Sequence, residues 1–206
     1  NISAAISGNP GNVQFRFHHN SEAGTSHYHW QVDDIKIVVL PEYEIGMNYA
    51  YNSTTGTGEE YGRIPVSQLP ASMNIGAEVW NYGSATQTNV AVECVVRTTD
   101  GTEVVSNNTT LGDLTGGQVM VSDTQMDLPT LGYGRYNSTF TITGDQIGQD
   151  GVPADNSKVR NFEVTPAQYA LDALGNHPAG SEVRQQIGTS SFTDNSTVYM
   201  MTMYTI

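Results

Sequence analysis

The 206-residue chain carries 21 acidic and 8 basic side chains, a formal net charge of −13. Such a surface repels phosphate backbones and anionic headgroups, which speaks against nucleic-acid and lipid binding. Hydrophobic residues make up 37% and glycines number 21, an apolar share that suits a globular chain rather than a disordered tail, and no run reaches the ~18 apolar residues of a membrane-spanning helix.

Val13-Gln-Phe-Arg-Phe-His18 alternates strictly, with Val13, Phe15 and Phe17 on one face, the period of a half-buried strand. His27-Tyr-His-Trp-Gln-Val32 puts Tyr28, Trp30 and Val32 in one phase. Asp33-Asp34 interrupts it and Ile35–Leu40 resumes. Pro41, lacking a ladder donor, ends the run. So few strands are marginal alone and need a sheet to join, so an upstream sheet is expected.

From Glu42 to Thr165 strand signals recur at sandwich spacing. The expected strands are Glu44–Tyr51, Tyr61–Leu69, Asn74–Tyr82, Thr88–Thr98, Thr102–Val105, Gln118–Ser122, Gln125–Leu128, Tyr136–Thr143 and Lys158–Val164, with Ser53–Glu60 an exposed loop. Asn81-Tyr-Gly-Ser84 separates two alternating runs that read as a hairpin with one face in a core. Asp100-Gly101 is a tight-turn dipeptide and predicts a second hairpin. Cys94, the only cysteine, shares the phase of Val90 and Val92, as a small buried hydrophobe rather than a nucleophile. After Pro166 the pattern changes, and Thr197–Ile206 closes as a β-prone run.

Two stretches resemble known families. Phe15-Arg-Phe17 followed by Trp30-Gln-Val-Asp-Asp-Ile35 resembles the closing strands of jelly-roll domains of the MAM and adhesin kind. Glu60-Tyr-Gly-Arg-Ile-Pro-Val-Ser-Gln68, Val79-Trp-Asn-Tyr-Gly-Ser84, Gly134-Arg-Tyr136 and Ala154-Asp-Asn156 before Asn161-Phe-Glu-Val-Thr165 resemble the CARDB-type, immunoglobulin-like modules of large secreted bacterial proteins. The resemblance implies an all-β chain: residues 1–40 ending one jelly roll, 41–165 an immunoglobulin-like sandwich, and 166–206 beginning another jelly roll. It further implies a cell-surface, type IX-exported adhesin, with neighbouring domains of the same long chain and surface glycans or proteins as partners. Asn1-Ile-Ser-Ala-Ala carries no leader, so a cytosolic protein or a stretch of a longer chain is expected.

Three clusters offer chemistry. His18, His27 and His29, with Glu22 or water, have donors for zinc, although a solvent-facing hairpin edge gives the same pattern. Asp33 and Asp34 offer carboxylates for calcium, a role the jelly-roll resemblance implies. Two carboxylates fall short of its six to eight oxygens, and a bend in the strand is the plainer account. Asp145, Asp150, Asp155 and Asn156 lie among glycines and suit a hard cation, but their spacing is not that of an EF-hand, and a long acidic loop explains them as well. Neither a Gly-x-Ser-x-Gly elbow nor His-Glu-x-x-His nor a P-loop occurs. The expected function is therefore a non-catalytic, adhesive segment that spaces and orients domains. The alternatives are a carbohydrate- or calcium-binding accessory region of a secreted hydrolase or protease, and a filament subunit completed by strand exchange.

Overall fold

The computed structural model describes residues 39–53 and 62–170. The chain divides into two compact units, one ending at Val39 and one starting at Leu40, and the described residues lie in the second, Val39 excepted. The expected strands at 13–18 and 27–32, the strand at 35–40 but for its last two residues, the loop at 53–60 beyond Ser53, and the run at 197–206 fall outside them; Val39 and Leu40 are exposed and not in a strand.

Eight strands follow in chain order: β1 (Ile45–Ser53), β2 (Arg63–Pro65), β3 (Ser72–Asn81), β4 (Gln87–Thr98), β5 (Glu103–Leu114), β6 (Val119–Asp127), β7 (Gly134–Thr143) and β8 (Ser157–Thr165). They form two sheets, β1-β3-β6 and β2-β8-β7-β4-β5. Pairing is antiparallel except between β2 and β8. The fold is all-β, and its strand order is that of an immunoglobulin-like sandwich in which the first part of the chain moves from one sheet to the other.

Alternation decides which faces meet. Met73, Ile75, Ala77 and Val79 of β3 point inward against Val90, Val92, Cys94 and Val96 of β4, while Glu78, Trp80 and Glu93 look outward. Phe140 and Phe162 fill the middle, and Tyr136 stacks on Phe162 at 5.2 Å between ring centres. Near the start of β7, the Tyr136 hydroxyl donates to the Gly132 carbonyl at 2.9 Å. This is the tyrosine corner of immunoglobulin-like sandwiches.

Four expectations are corrected. The two runs flanking Asn81–Ser84 do not pair as a hairpin: β3 and β4 belong to different sheets, and their shared inward phase reflects face-to-face packing across the core. β5 continues to Leu114 because it is an edge strand paired only with β4, so Ser106, Asn108 and Thr110 face water rather than core. Gln118–Ser122 and Gln125–Leu128 are one strand, β6. The run at 61–69 keeps only three strand residues, then makes one 3-10 turn at Val66–Gln68, since Pro65 cannot donate to a ladder. The Asp100-Gly101 hairpin is as expected, with Gly101 at φ +89° and the Thr102 amide held by Asp100 at 3.1 Å.

The sheet change after β3 turns on one side chain. Asn81 is fully buried. Its Nδ2 donates to the carbonyls of Ala85 and Leu114, each at 2.8 Å, and its Oδ1 accepts from the Gly83 amide at 2.9 Å. Asn81→Ala takes the side-chain donor from the Ala85 and Leu114 carbonyls and leaves the Gly83 amide only its bond to the Glu44 carbonyl, and is expected to cost roughly 1–3 kcal/mol in chemical denaturation. Burial pushes the Cys94 thiol up to about 12, so a thiol reagent at neutral pH should label Cys94 only at the rate of unfolding. Rapid labelling of the folded chain would contradict its place in the core.

Candidate metal centre

β1 is entered from Pro41 through Glu42, Tyr43 and Glu44. The turn after β3 holds this segment chiefly by backbone: the amides of Ser84, Ala85 and Gly83 donate to the carbonyls of Pro41, Glu42 and Glu44, each at 2.9 Å, and the Ser84 hydroxyl adds a bond to the Pro41 carbonyl at 3.2 Å. Two glycines make close approach to the side of this entry feasible. A Cβ on Gly151 would lie 2.7 Å from Glu44 Oε2, and one on Gly46 would lie 2.9 Å from Asp155 Oδ2 and 3.2 Å from the Tyr82 ring. The carboxylates of Glu44 and Asp155 thus rest against bare backbone, where any larger residue would displace them.

The connection from β7 to β8 makes two single 3-10 turns, Ile147–Gln149 and Pro153–Asp155. They bring Asp150 and Asp155 to Glu44, so that one ligating oxygen from each lies within 4.8 Å of the other two. Asp150 Oδ1 accepts from the Ile45 amide at 2.9 Å and Asp150 Oδ2 from Asn156 Nδ2 at 2.8 Å. Glu44 is 8% exposed and accepts from the amides of Gly151 and Val152. Burial, and then the charges of Asp150 and Asp155, raise the Glu44 carboxyl above its ordinary value. Burial, and then Asp150, raise Asp155. Raised carboxyls hold their protons more tightly folded than unfolded, so their stabilising contribution is present at low pH and is lost as pH rises through the folded values.

Of the four residues singled out between 145 and 156, the fold gathers three. Asp150 and Asp155 are in the cluster, and Asn156 is bonded to it. Asp145 stands apart: its Oδ2 accepts from Thr88 Oγ1 and Asn89 Nδ2, each at 2.7 Å. There it braces the irregular start of β4, where Asn89 adopts φ +55°, a left-handed conformation that asparagine tolerates. Glu44 was not foreseen. It lies over a hundred residues from its partners, and only the Pro-Glu-Tyr-Glu run before a strand marks it locally. Asp33 and Asp34, and His18, His27, His29 and Glu22, lie outside the described residues. Among the described residues no helix is long and apolar enough to cross a membrane.

No protein-family model and no curated protein matches the chain. Among solved structures it is similar to the crystal structure of a CARDB domain from Pyrococcus furiosus in complex with di-metal ions, at 14% identity and TM-score 0.42 over 66% of this chain and 99% of that one. The solution structure of that domain aligns at 13% identity and TM-score 0.41, over 62% and 100% of the two chains. A β-glucuronidase of glycoside hydrolase family 2 aligns at 16% identity and TM-score 0.35, over 55% of this chain and 11% of the enzyme.

The Asp145 carboxyl is held below its ordinary value by Thr88 and then Asn89. A lowered carboxyl stabilises above its unfolded pKa, and the effect is lost as pH falls through the folded one. Asp145→Asn should therefore lower the melting temperature at neutral pH and flatten its decline below about pH 4, the two chains converging in acid. An acid limb identical to that of the parent chain would remove the Asp145 brace.

Proposed function

We propose that the sandwich of residues 40–170 is a non-catalytic spacer module of an extracellular, cell-surface chain, fixing the distance and orientation between its neighbours. One observation carries this: the described sandwich begins at one pole and its last strand ends at the other, and both of these ends are tied down. β1 starts beside Asp150, just ahead of β8, and farther along it the Ala50 carbonyl accepts from Arg160, mid-way up β8. β2 then runs parallel to the last three residues of β8. The nine residues of β8 rise by about 30 Å, so the start of β1 and the end of β8 are separated by about that length.

Neither end is a loose tether. Residues 41–44 are bonded to the turn after β3. Beyond β8, the Ala170 carbonyl accepts from the amides of Gly62 and Arg63, and the Ala170 amide donates back to Arg63. The Thr165 hydroxyl accepts from the Gln168 amide at 2.9 Å. Such junctions suit reach and orientation better than flexible linking. Surface adhesion, type IX export and calcium at the flanking Asp33-Asp34 belong to this reading as the resemblances noted for the sequence imply them.

A second reading is favoured by the outer face of β3, where Trp80, 37% exposed, stacks on Tyr82 at 4.7 Å. A stacked aromatic pair open to solvent suits the face of a sugar ring, as in a glycan-binding accessory region. Replacement of residues 40–170, within the chain as its source makes it, by an unrelated sandwich of equal end-to-end length separates the two. Surface display and adhesion should persist for a spacer, and adhesion should disappear while display persists for a binding module. Protease treatment of intact cells should remove the segment, and protection from protease would overturn the extracellular assignment.

A further inference from the structure

We propose that Glu44, Asp150 and Asp155 bind one hard divalent cation of the calcium class, which staples the entry strand to the connection between β7 and β8. The site deepens the spacer reading, because its ligands sit where the chain enters the sandwich, but the binding itself stands or falls separately.

Geometry comes first. Calcium takes oxygen ligands at 2.3–2.6 Å, so two ligands of one ion lie at most about 5 Å apart. The three carboxylate oxygens lie within 4.8 Å of one another, inside that limit for every pair. The donors are all oxygen, with no nitrogen or sulfur that would select zinc or copper. Three carboxylates supply up to six oxygens if each binds through both, and water completes the shell. The hydrogen bonds Asp150 already accepts do not exclude it, because each carboxylate oxygen keeps a second lone pair.

The second observation is independent of the acidic count. Asn156 is 6% exposed, and its amide is turned to the cluster, with Nδ2 on Asp150 Oδ2. Its Oδ1 is buried with no hydrogen-bond partner, and so is Asp155 Oδ1. A buried oxygen without a donor carries a desolvation cost that a cation, or a water held by one, removes. Opposite charge is scarce here. Arg63 and Arg135 pair with Glu163 and Arg97 with Glu103, and Lys158 is the smallest of the influences on Asp155. Three carboxylates facing one another, with Lys158 a weak counter-charge to one of them, are unfavourable at neutral pH, and a divalent ion reverses the sign of the interaction.

The test uses the 1–206 chain, first in EDTA and then with calcium chloride. Calcium a hundredfold above its dissociation constant is expected to raise the melting temperature by about 5–10 °C. Glu44→Gln/Asp155→Asn should lose that rise and melt no lower than the parent in EDTA, since like charges have been removed. Asp145→Asn should keep the rise. Terbium(III), standing in for calcium, should luminesce when the adjacent Trp80–Tyr82 pair is excited, and calcium should quench the signal by competition. The double variant should lack the emission. Two results would overturn the proposal: no rise up to about 10 mM calcium, ten times the weakest constants of extracellular modules, or a rise and an emission equal in the parent and the double variant, which place the ion elsewhere in the chain. Adhesion in the sandwich-replacement experiment does not depend on calcium at this site, so the spacer reading fails or survives on its own.

Discussion

The architecture depends on a buried amide that has no spare valence. Asn81 sits where the chain leaves one sheet for the other, and its side chain joins the turn after β3 to the end of β5. Its backbone is engaged too: the Asn81 amide donates to Gln118 and its carbonyl accepts from Gly117. A single residue thereby registers four strands, β3, β4, β5 and β6, at one pole. Hydrophobic burial supplies most of the cohesion between the sheets, but burial is non-directional. The polar contact is what selects this crossing over a slipped one.

The same pole collects the entry segment and the acidic cluster, and the reason is topological. β1 and β8 run the same way, so the chain's arrival at β1 and the connection into β8 must share an end. Glu44 and Asp155 are brought together by that rule, not by sequence proximity. The glycines at 46 and 151 then let carboxylates lie on the backbone. The Asn81 turn covers the segment from the other side, which is why residues 41–44 are bonded on two flanks before the first strand begins.

How much of this could be read from the sequence follows from the range of each interaction. Strand phases were legible because alternation is local: the inward set of β3 and β4, buried Cys94 and outward Trp80 all came from period two. Sheet membership was not, since two runs that face each other across a core show the same alternation as two that pair. The tail of β5 was missed because an edge strand with one open side carries Asn, Thr and Ser, residues that also make loops. Asp150, Asp155 and Asn156 were visible as an oxygen-rich loop, whereas Glu44, their partner, is contributed by chain topology alone. Asp145, equal to them by composition, proved to be a brace for β4.

The parallel pairing of β2 with β8 carries a mechanical consequence. When a chain is pulled from both ends, strands that peel apart lose their hydrogen bonds one after another. Here the early strand and the last strand lie side by side and point the same way, from Arg63–Glu163 to Pro65–Thr165. Tension applied through the entry and exit runs along both strands and loads these bonds in shear, so they yield together rather than in turn. The Arg63–Glu163 ion pair, 3.0 Å from Nε to Oε2, lies across the same seam and shares the load. The seam thus resists such tension as a unit rather than bond by bond.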